Sequence, residues 1–497
     1  MLDHPKYHIS WIIGSLITIS LFIRLFSLGS TDLLVEEAYY WNYAEHLDFG
    51  YLDHPPMVAL LIKISTLLFG TNECAVRIPS FFCWLLTCFF SFKLTTLISK
   101  KAGPYAILLL SILPFFFLHA LIITPDQPLI VCWSATLYYL YRALILNRTQ
   151  AWYLAGLWLG LGLLSKYTIG LLVLTTFFYL CYIPTARNWF LRKEPYLAVL
   201  FATLLFTPVL YWNATHDWIS LTFQTTRRLQ DTVHFSFHQF LGLTLFFLMP
   251  AGIIGLWDLT RPGQKNADTL EHNKRFLKIY TIIPLLFFGV YSLAHGLKFN
   301  WIGPLFLALV PWLALLIEQK KQARTHWIIT GILLLTCYGA ALWVLDFSKP
   351  PLLYKRFFSK FIAWQRFTLQ IHQIADNIAA TTHTKPIIVP LDLYNIGSEL
   401  TFYQEKLLTH HDIVQSYQIV GRHIFGESSL MYQFWAPKDS VSGQTVLLVS
   451  KDAHDFQNEI LKATTLTASP LRVIWAESQV TGTPITPYYY QVVRLKK

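Results

Sequence analysis

Long runs of uncharged residues constrain the fold of this chain more than any other feature. Residues 167–186 include no charged side chain, and similar apolar runs recur over the first 346 residues. A helix needs roughly 20 apolar residues to cross the hydrocarbon layer of a bilayer. The runs are continuous rather than alternating in hydropathy, which excludes a membrane β-barrel. The sequence therefore predicts a polytopic α-helical membrane protein.

The distribution of basic residues predicts the topology of these helices. About eleven spans are expected, at roughly 9–28, 78–98, 104–123, 127–146, 151–165, 168–184, 196–212, 238–257, 277–295, 301–317 and 326–346. Lysine and arginine are concentrated in alternate loops, at 100–101, 142–148, 187–193, 261–278 and 320–324. Cytoplasmic loops carry such an excess. The net charge of +11 therefore indicates topology rather than a nucleic-acid partner. With an odd number of spans and the amino terminus inside, the carboxy terminus lies outside.

The pattern of residue types changes after about residue 346. Short β-branched runs, typical of strands, occur at 385–390, 444–450, 471–475 and 488–495, and residues 396–405 have a helical pattern. The alternation predicts a small α/β domain. The expected organisation is a transmembrane domain of residues 1–346 followed by an outer α/β domain of residues 347–497.

The loop after the first span carries acidic residues that need an explanation. Glu36, Glu37 and Asp53 lie between two apolar segments, and carboxylates beside a bilayer are costly unless they are solvated, paired or functional. The aromatic residues around them are Tyr39, Tyr40, Trp41, Tyr43 and Tyr51. This pattern predicts short interfacial helices, with the rings in lipid and their polar edges in water.

Polar residues at the ends of other spans are predicted to share the outer face. They are His54, Asp126, Lys166, Tyr167, Arg227, Arg228, Lys298, Asn300 and Trp301. Asp53 and Asp126 could instead cap helices, and the Lys166 ammonium could simply reach the interface from a helix end. Carboxylates and cations on one face suit a reaction that needs a base and a stabilised phosphate leaving group.

Several motifs resemble a known superfamily. The first-loop motif is Glu36-Glu-Ala-Tyr-Tyr-Trp41 followed by His46-Leu-Asp-Phe-Gly-Tyr-Leu-Asp-His-Pro-Pro-Met57. It resembles the corresponding loop of bacterial polyprenyl-phosphate-dependent glycosyltransferases, relatives of the protein O-mannosyltransferases and of the lipid A aminoarabinose transferase. Further matches follow in order at Arg77-Ile-Pro79, Thr124-Pro-Asp126, Leu163-Leu-Ser-Lys-Tyr167 and Asn300-Trp301. The resemblance implies a C-type glycosyltransferase fold.

The resemblance also implies roles for the candidate residues. Glu36, Glu37 and Asp53 are the expected catalytic carboxylates, one of which deprotonates the acceptor hydroxyl. The family usually has Asp-Glu where this chain has Glu-Glu, so the choice between Glu36 and Glu37 stays open. The expected ligands of the donor phosphate are His54, Lys166, Arg227, Arg228 and Lys298. Further candidates are Asp126, Tyr167, Asn300 and Trp301.

The expected reaction is transfer, with inversion, of a sugar from a polyprenyl (undecaprenyl) phosphate donor. The resemblance implies a lipid A, lipopolysaccharide, polysaccharide or protein acceptor at the periplasmic face of the bacterial inner membrane, with membrane lipids as surroundings. No cofactor is required by the motifs, although carboxylates with a histidine could bind a divalent metal ion.

A transporter of polyprenyl-linked sugars or lipids is the alternative. It predicts an inverted internal repeat and ionisable residues near the middle of the membrane. The sequence has no visible repeat of this kind, and Arg24 and Lys93 lie nearer to span ends. The pattern therefore favours a glycosyltransferase.

Overall fold

The computed structural model describes residues 4–225, 234–262, 268–347, 363–437, 441–477 and 482–496. The chain forms two compact units. The helical unit comprises residues 1–26, 54–58 and 79–339, and the mixed unit comprises residues 27–53, 59–78 and 340–497. The mixed unit thus takes in much of the first loop as well as the tail, whereas the sequence-based division placed that loop with the membrane domain.

The helical unit is built from apolar helices joined by short connections. The helices that lie mainly in this unit are His4–Ser27, Glu73–Ile98, Gly103–Ile112, Pro114–Leu118, Asp126–Leu144, Gln150–Leu163, Leu171–Tyr182, Lys193–Thr215, Ile219–Gln224, Phe237–Thr260, Asp268–Tyr291, Val310–Gln319 and Lys321–Phe347. Short 3-10 helices occur at Tyr167–Gly170, Pro184–Leu191 and Gly303–Ala308. The shared core includes Leu109, Trp133, Tyr280 and Phe306.

Within the described residues, five helices are long and apolar enough to cross a membrane: Ile9–Ser27, Glu73–Ile98, Lys193–Thr215, Phe237–Thr260 and Lys321–Leu345. A sixth span results if Tyr167–Tyr182 and Pro184–Leu191, bent by 115°, are counted together. The span expected at 104–123 is divided into two helices at Pro114, because proline cannot donate the hydrogen bond that continues a helix. A multi-pass membrane protein is therefore confirmed, and the count of about eleven spans stays a prediction.

The mixed unit combines a five-stranded sheet with helices. Its helices are Val35–Glu45, most of Met57–Phe69, Trp364–Thr382, Asn395–Thr409, Tyr432–Trp435 and Glu459–Thr464, with 3-10 turns at Arg422–Phe425 and Ala453–Gln457. The strands are β1 (Ile387–Pro390), β2 (Thr445–Ser450), β3 (Thr465–Ala468), β4 (Arg472–Glu477) and β5 (Pro484–Leu495). The four strands expected from the sequence are confirmed.

The sheet has the order β1-β2-β5-β3, and β4 also pairs with β5. Strands β1 and β2 are parallel, while β5 runs antiparallel to each of its neighbours. Strand β2 is apolar and buried at Val446, Leu447, Leu448 and Val449, as expected for a central strand covered on both faces. Strand β3 was not predicted because most of its four residues are exposed and lack an apolar pattern.

The sequence interpretation also missed the helix Trp364–Thr382, although a signal was present. Phe367, Ile371, Ala375 and Ile378 are buried on one side of it. Their spacing of four, four and three residues is the period of an amphipathic helix. This helix packs against Asn395–Thr409 within the same unit.

Candidate active site

The first-loop helix, Val35–Glu45, is buried against protein rather than lipid. Trp41 packs edge-to-face on Phe402 with ring centroids 5.2 Å apart, and Tyr39 lies 4.6 Å from Tyr394. Tyr40 and Tyr43 are also buried. The prediction that these rings lie in lipid was therefore wrong, because an aromatic-rich pattern does not distinguish a lipid-facing surface from one that packs against another part of the chain.

Glu37 and Arg77 form a fully buried ion pair in the mixed unit. The guanidinium binds the carboxylate in a bidentate manner, with Nε–Oε1 at 3.0 Å and Nη2–Oε2 at 2.7 Å. Glu37 Oε2 also accepts the Leu34 N–H at 2.9 Å, which satisfies a donor at the start of the first-loop helix. Arg77 further donates to the carbonyl oxygens of Thr31 and Asp32 at 2.9 and 2.7 Å. Such a paired carboxylate is suited to holding the loop in place.

Asp53 is held by two tyrosines of the first-loop helix. Its Oδ1 accepts a short hydrogen bond from the Tyr43 hydroxyl and a longer one, at 3.4 Å, from Tyr39. Tyr43 is in turn fixed by Tyr51, whose ring stacks on it at 3.9 Å. Asp53 is half-buried, so the carboxylate is both oriented and accessible. The alternative role for Asp53 was a helix cap. A cap does not require these contacts with two tyrosine hydroxyls.

Glu36 is the exposed member of the acidic pair. Its negative charge has an electrostatic effect on the half-buried phenol of Tyr394, which lies just before the helix Asn395–Thr409. Burial, followed by the negative charges of Glu36 and Asp53, raises the pKa of Tyr394. The two carboxylates thus share an electrostatic environment with one phenol. Tyr394 lies more than 340 residues from either of them in sequence, and no motif indicated it.

Two further buried carboxyl groups lie in the mixed unit. Burial, with the charge of Glu73 as the second cause, raises the pKa of Asp32 to about 6. Asp32 accepts the Trp364 N–H at 2.8 Å. Burial also raises the pKa of Glu399, with Asp32 and Glu37 adding to the effect. Neither carboxyl oxygen of Glu399 has a hydrogen-bond partner in the described part of the chain, which favours the protonated form.

The helical unit brings together three candidates from separate loops. Lys166 Nζ lies 2.8 Å from Asp126 Oδ1, and Asn300 Nδ2 lies 2.6 Å from Asp126 Oδ2. Asp126 is the first residue of its helix, whose amino end has no side-chain cap bond. Its carboxylate instead anchors the Lys166 ammonium. Lys166 therefore belongs to a buried polar centre rather than to a solvated helix end.

The remaining candidates are placed less specifically. The Tyr167 hydroxyl lies 3.0 Å from Ser220 Oγ, and Trp301 packs on Tyr291 with centroids 5.5 Å apart. His54 is half-buried and Lys298 is exposed, both in the helical unit. Arg227 and Arg228 lie outside the described residues. A search of the described residues found no group of three or more His, Cys, Asp or Glu side chains that could hold a metal ion.

The sequence interpretation assigned no role at the site to Arg77, Tyr43 or Tyr394. Arg77 appeared only as part of a motif, so its pairing with the predicted candidate Glu37 was missed. Tyr43 was interpreted as an interfacial aromatic, whereas it orients Asp53. The spacing of Tyr39 and Tyr43, four residues apart on one helix face, could have indicated a shared target.

Two comparisons relate the sequence of this chain to known proteins. Residues 53–212 match the family model described as dolichyl-phosphate-mannose-protein mannosyltransferase. The chain is 27% identical to the lipid A galacturonosyltransferase RgtD of Rhizobium johnstonii over 330 residues, which covers 62% of this chain and 66% of RgtD. The alignment thus spans slightly less than two thirds of that relative.

Similarity to solved structures extends over almost the whole chain. The apo structure of ArnT from Cupriavidus metallidurans superposes with a TM-score of 0.65 at 14% identity, covering 97% of this chain and 98% of ArnT. ArnT bound to undecaprenyl phosphate gives a TM-score of 0.66 at 15% identity, with the same coverage.

The fold is thus that of the C-type glycosyltransferases. The resemblance to the polyprenyl-phosphate-dependent members of this superfamily, indicated by the first-loop motif, is confirmed. The architecture is ArnT-like, with several apolar helices and a small carboxy-terminal sheet.

Proposed function

We propose that this protein is a glycosyltransferase that moves a sugar from undecaprenyl phosphate to lipid A or a related glycolipid. The donor class follows from the ArnT-like fold, since ArnT binds undecaprenyl phosphate. The acceptor class follows from the similarity to a lipid A galacturonosyltransferase. The inner membrane of a bacterium is the location, and the carboxy-terminal domain is proposed to be periplasmic.

The oriented Asp53 carboxylate is the observation that supports the chemistry most directly. A general base must be accessible, fixed in direction and able to accept a proton. Asp53 meets these conditions, because Tyr43 and Tyr39 hold one oxygen and the side chain is only half-buried. Glu36 is exposed, and its charge, like that of Asp53, acts on the phenol of Tyr394. Glu37 is fully used in its ion pair, so Glu36 is the member of the acidic pair that we assign to catalysis.

The proposed reaction is a single displacement. The acceptor oxygen forms a bond to the anomeric carbon while the bond from that carbon to the lipid phosphate oxygen breaks. The proton of the acceptor hydroxyl passes to Asp53 or Glu36, and the lipid phosphate leaves with the electron pair. Attack opposite to the leaving group inverts the anomeric configuration.

A leaving phosphate needs positive charge or hydrogen-bond donors where its own charge develops. We assign Lys166 to this role in the helical unit. An ammonium has three donors, and Asp126 takes one of them at 2.8 Å. Lys298, His54 and the Arg227-Arg228 pair remain the further predicted phosphate ligands. A divalent ion also remains a prediction, which the same assay tests by adding EDTA and then restoring Mg²⁺.

The test is transfer in membranes that contain the full chain, with a pool of undecaprenyl-phosphate sugars and with lipid A, a polysaccharide or an acceptor protein offered separately. Asp53→Asn is expected to reduce the rate by about 10²- to 10⁴-fold, as for removal of a general base. Glu36→Gln is expected to reduce it by at least about tenfold if its charge supports the transition state.

Glu45→Gln is the matched control, because Glu45 is an exposed glutamate at the other end of the same helix. It should retain the wild-type rate. Donor movement across the membrane without any new glycosidic bond would favour the transporter instead. Transfer to protein alone would correct the acceptor class, and unchanged rates in both variants at wild-type protein levels would refute the assigned base.

A further inference from the structure

A cavity of the helical unit is lined by none of the candidate site residues discussed above. It has a volume of about 670 Å³ and is formed by the ends of three helices, Leu171–Tyr182, Phe237–Thr260 and Asp268–Tyr291. Ligand cavities have volumes in this range. Basic residues on both sides of the gap in the described residues at 263–267 border it, and the distribution of positive charge predicts that this side of the protein is cytoplasmic.

The rim of the cavity carries an excess of positive charge. Arg261, Lys274, Arg275 and Lys278 line it together with a single acid, Glu271. Arg275 Nε lies 3.2 Å from Glu271 Oε1, so this pair neutralises one cation. The other three cations have no carboxylate within ion-pair distance among the described residues.

Two ammonium groups of the rim are fixed in position. Lys274 Nζ donates to the Arg261 carbonyl oxygen at 3.0 Å, and Lys278 Nζ donates to the Thr260 carbonyl oxygen at 2.9 Å. These carbonyls end the preceding helix, where the helix dipole favours cations. Each ammonium has three donors, and one of them is used in this bond. Both side chains are half-buried and line the cavity, and the Lys274 ammonium also lies 5.2 Å from the centre of the Trp312 ring.

The wall of the same cavity is apolar. It includes Phe178, Tyr182, Ile183, Leu259, Ile279 and Ile282. Basic residues that only set the membrane topology are expected to be surrounded by water. A cavity lined by hydrocarbon side chains is not needed for that role. An anchored cationic rim above an apolar wall is complementary to a molecule with a phosphate at one end and hydrocarbon at the other.

We infer that this cavity binds an anionic phospholipid of the adjacent leaflet, with the phosphate at Lys274 and Lys278 and the first part of an acyl chain along Ile279 and Ile282. Basic pockets between transmembrane helices on the cytoplasmic side bind anionic lipid headgroups in this way. The site is separate from the polar centre at Asp126 and does not depend on the proposed transfer reaction.

The test is binding of a fluorescent phosphatidylglycerol to the delipidated full chain in detergent, with phosphatidylcholine as the neutral comparison. The cavity variant Lys274→Gln/Arg275→Gln/Lys278→Gln is compared with Arg187→Gln/Arg192→Gln/Lys193→Gln. The second triple removes the same charge on the same predicted side but does not line the cavity. The cavity triple should weaken phosphatidylglycerol binding by at least about tenfold, given the usual contribution of each basic residue. The control triple should change it less than about twofold.

A second variant keeps the test decisive if the cavity triple does not fold. Ile282→Trp fills the apolar wall and retains every cation, and it should also weaken phosphatidylglycerol binding. Equal losses in the two triples would overturn the inference in favour of diffuse surface attraction. Equal binding of phosphatidylcholine, full displacement by inorganic phosphate, or a clear preference for undecaprenyl phosphate would each overturn the assignment to a phospholipid.

Discussion

Two buried ion pairs in the described part of the chain, one in each unit, differ in how completely their donors are used. In the mixed unit, the Arg77 guanidinium binds both oxygens of Glu37 and the carbonyl oxygens of Leu28, Thr31 and Asp32. In the helical unit, the Lys166 ammonium binds Asp126 through one contact, and Asn300 and the Thr124 hydroxyl also donate to that carboxylate.

This difference separates a structural pair from a candidate binding centre. A guanidinium has five donors in a fixed fork, and Arg77 uses them within the protein, so it has little capacity for a ligand. An ammonium with one protein contact can still donate to a phosphate. Burial of a charged pair therefore does not by itself mark a functional site, whereas unused donor capacity beside it does.

Arg77→Met should have the largest effect on stability. It leaves the buried Glu37 carboxylate without its partner, which typically costs about 3–5 kcal/mol. We expect a large loss of folded protein, measured by size-exclusion chromatography and thermal unfolding in detergent. Adding Glu37→Gln should recover part of the loss, because the unpaired charge is removed. Near-wild-type stability of Arg77→Met would contradict the structural role of this pair.

The double variant Lys166→Gln/Asp126→Asn tests the other side of the comparison. Because both charges are removed, the protein should stay folded, unlike the single variant Lys166→Gln. Sugar transfer should nevertheless fall by about 10²-fold, as after loss of one group that stabilises a developing charge. Thermal unfolding and donor KM are measured together. A double variant with wild-type donor KM and rate would make this pair structural as well.

The buried carboxyl groups of the mixed unit predict a pH dependence of stability. The pKa of Asp32 is raised to about 6 and that of Glu399 is also raised, so the folded protein binds more protons than the unfolded chain above about pH 4. The contribution of the two protonated carboxyl groups to the free energy of unfolding is therefore present at low pH and is lost as pH rises through the raised pKa values. Glu399→Gln, which cannot ionise, should gain in Tm relative to wild type as pH increases from 5 to 8. A Tm difference that is constant over this range would contradict the prediction.

Lys63→Gln should have the smallest effect. Lys63 Nζ lies 3.1 Å from Glu45 Oε2, but both side chains are partly exposed at 26% and 35%. Exposed pairs contribute about 0–1 kcal/mol. We expect a Tm close to that of wild type, measured beside Arg77→Met. A loss as large as that of Arg77→Met would remove the distinction between exposed and buried pairs in this unit.

Local patterns in the sequence predicted much of the fold. Continuous apolar runs indicated a multi-pass helical protein, and four short β-branched runs correspond to strands β1, β2, β4 and β5. The order of motifs from Glu36 to Trp301 indicated the superfamily. Strand β3 and the break at Pro114 were missed, the first for want of an apolar pattern and the second because the apolar run continues through the proline.

The sequence by itself determined the membrane class, the resemblance to the superfamily and the residue types of the candidate site. Tertiary structure decided which carboxylate is paired and which is accessible: Arg77 takes up Glu37, Tyr43 orients Asp53, and Lys166 and Asn300 converge on Asp126. The physical reason is the range of the interactions. Hydropathy and periodicity act over a few neighbouring residues, whereas the partner of a buried charge is chosen by packing between segments tens to hundreds of residues apart.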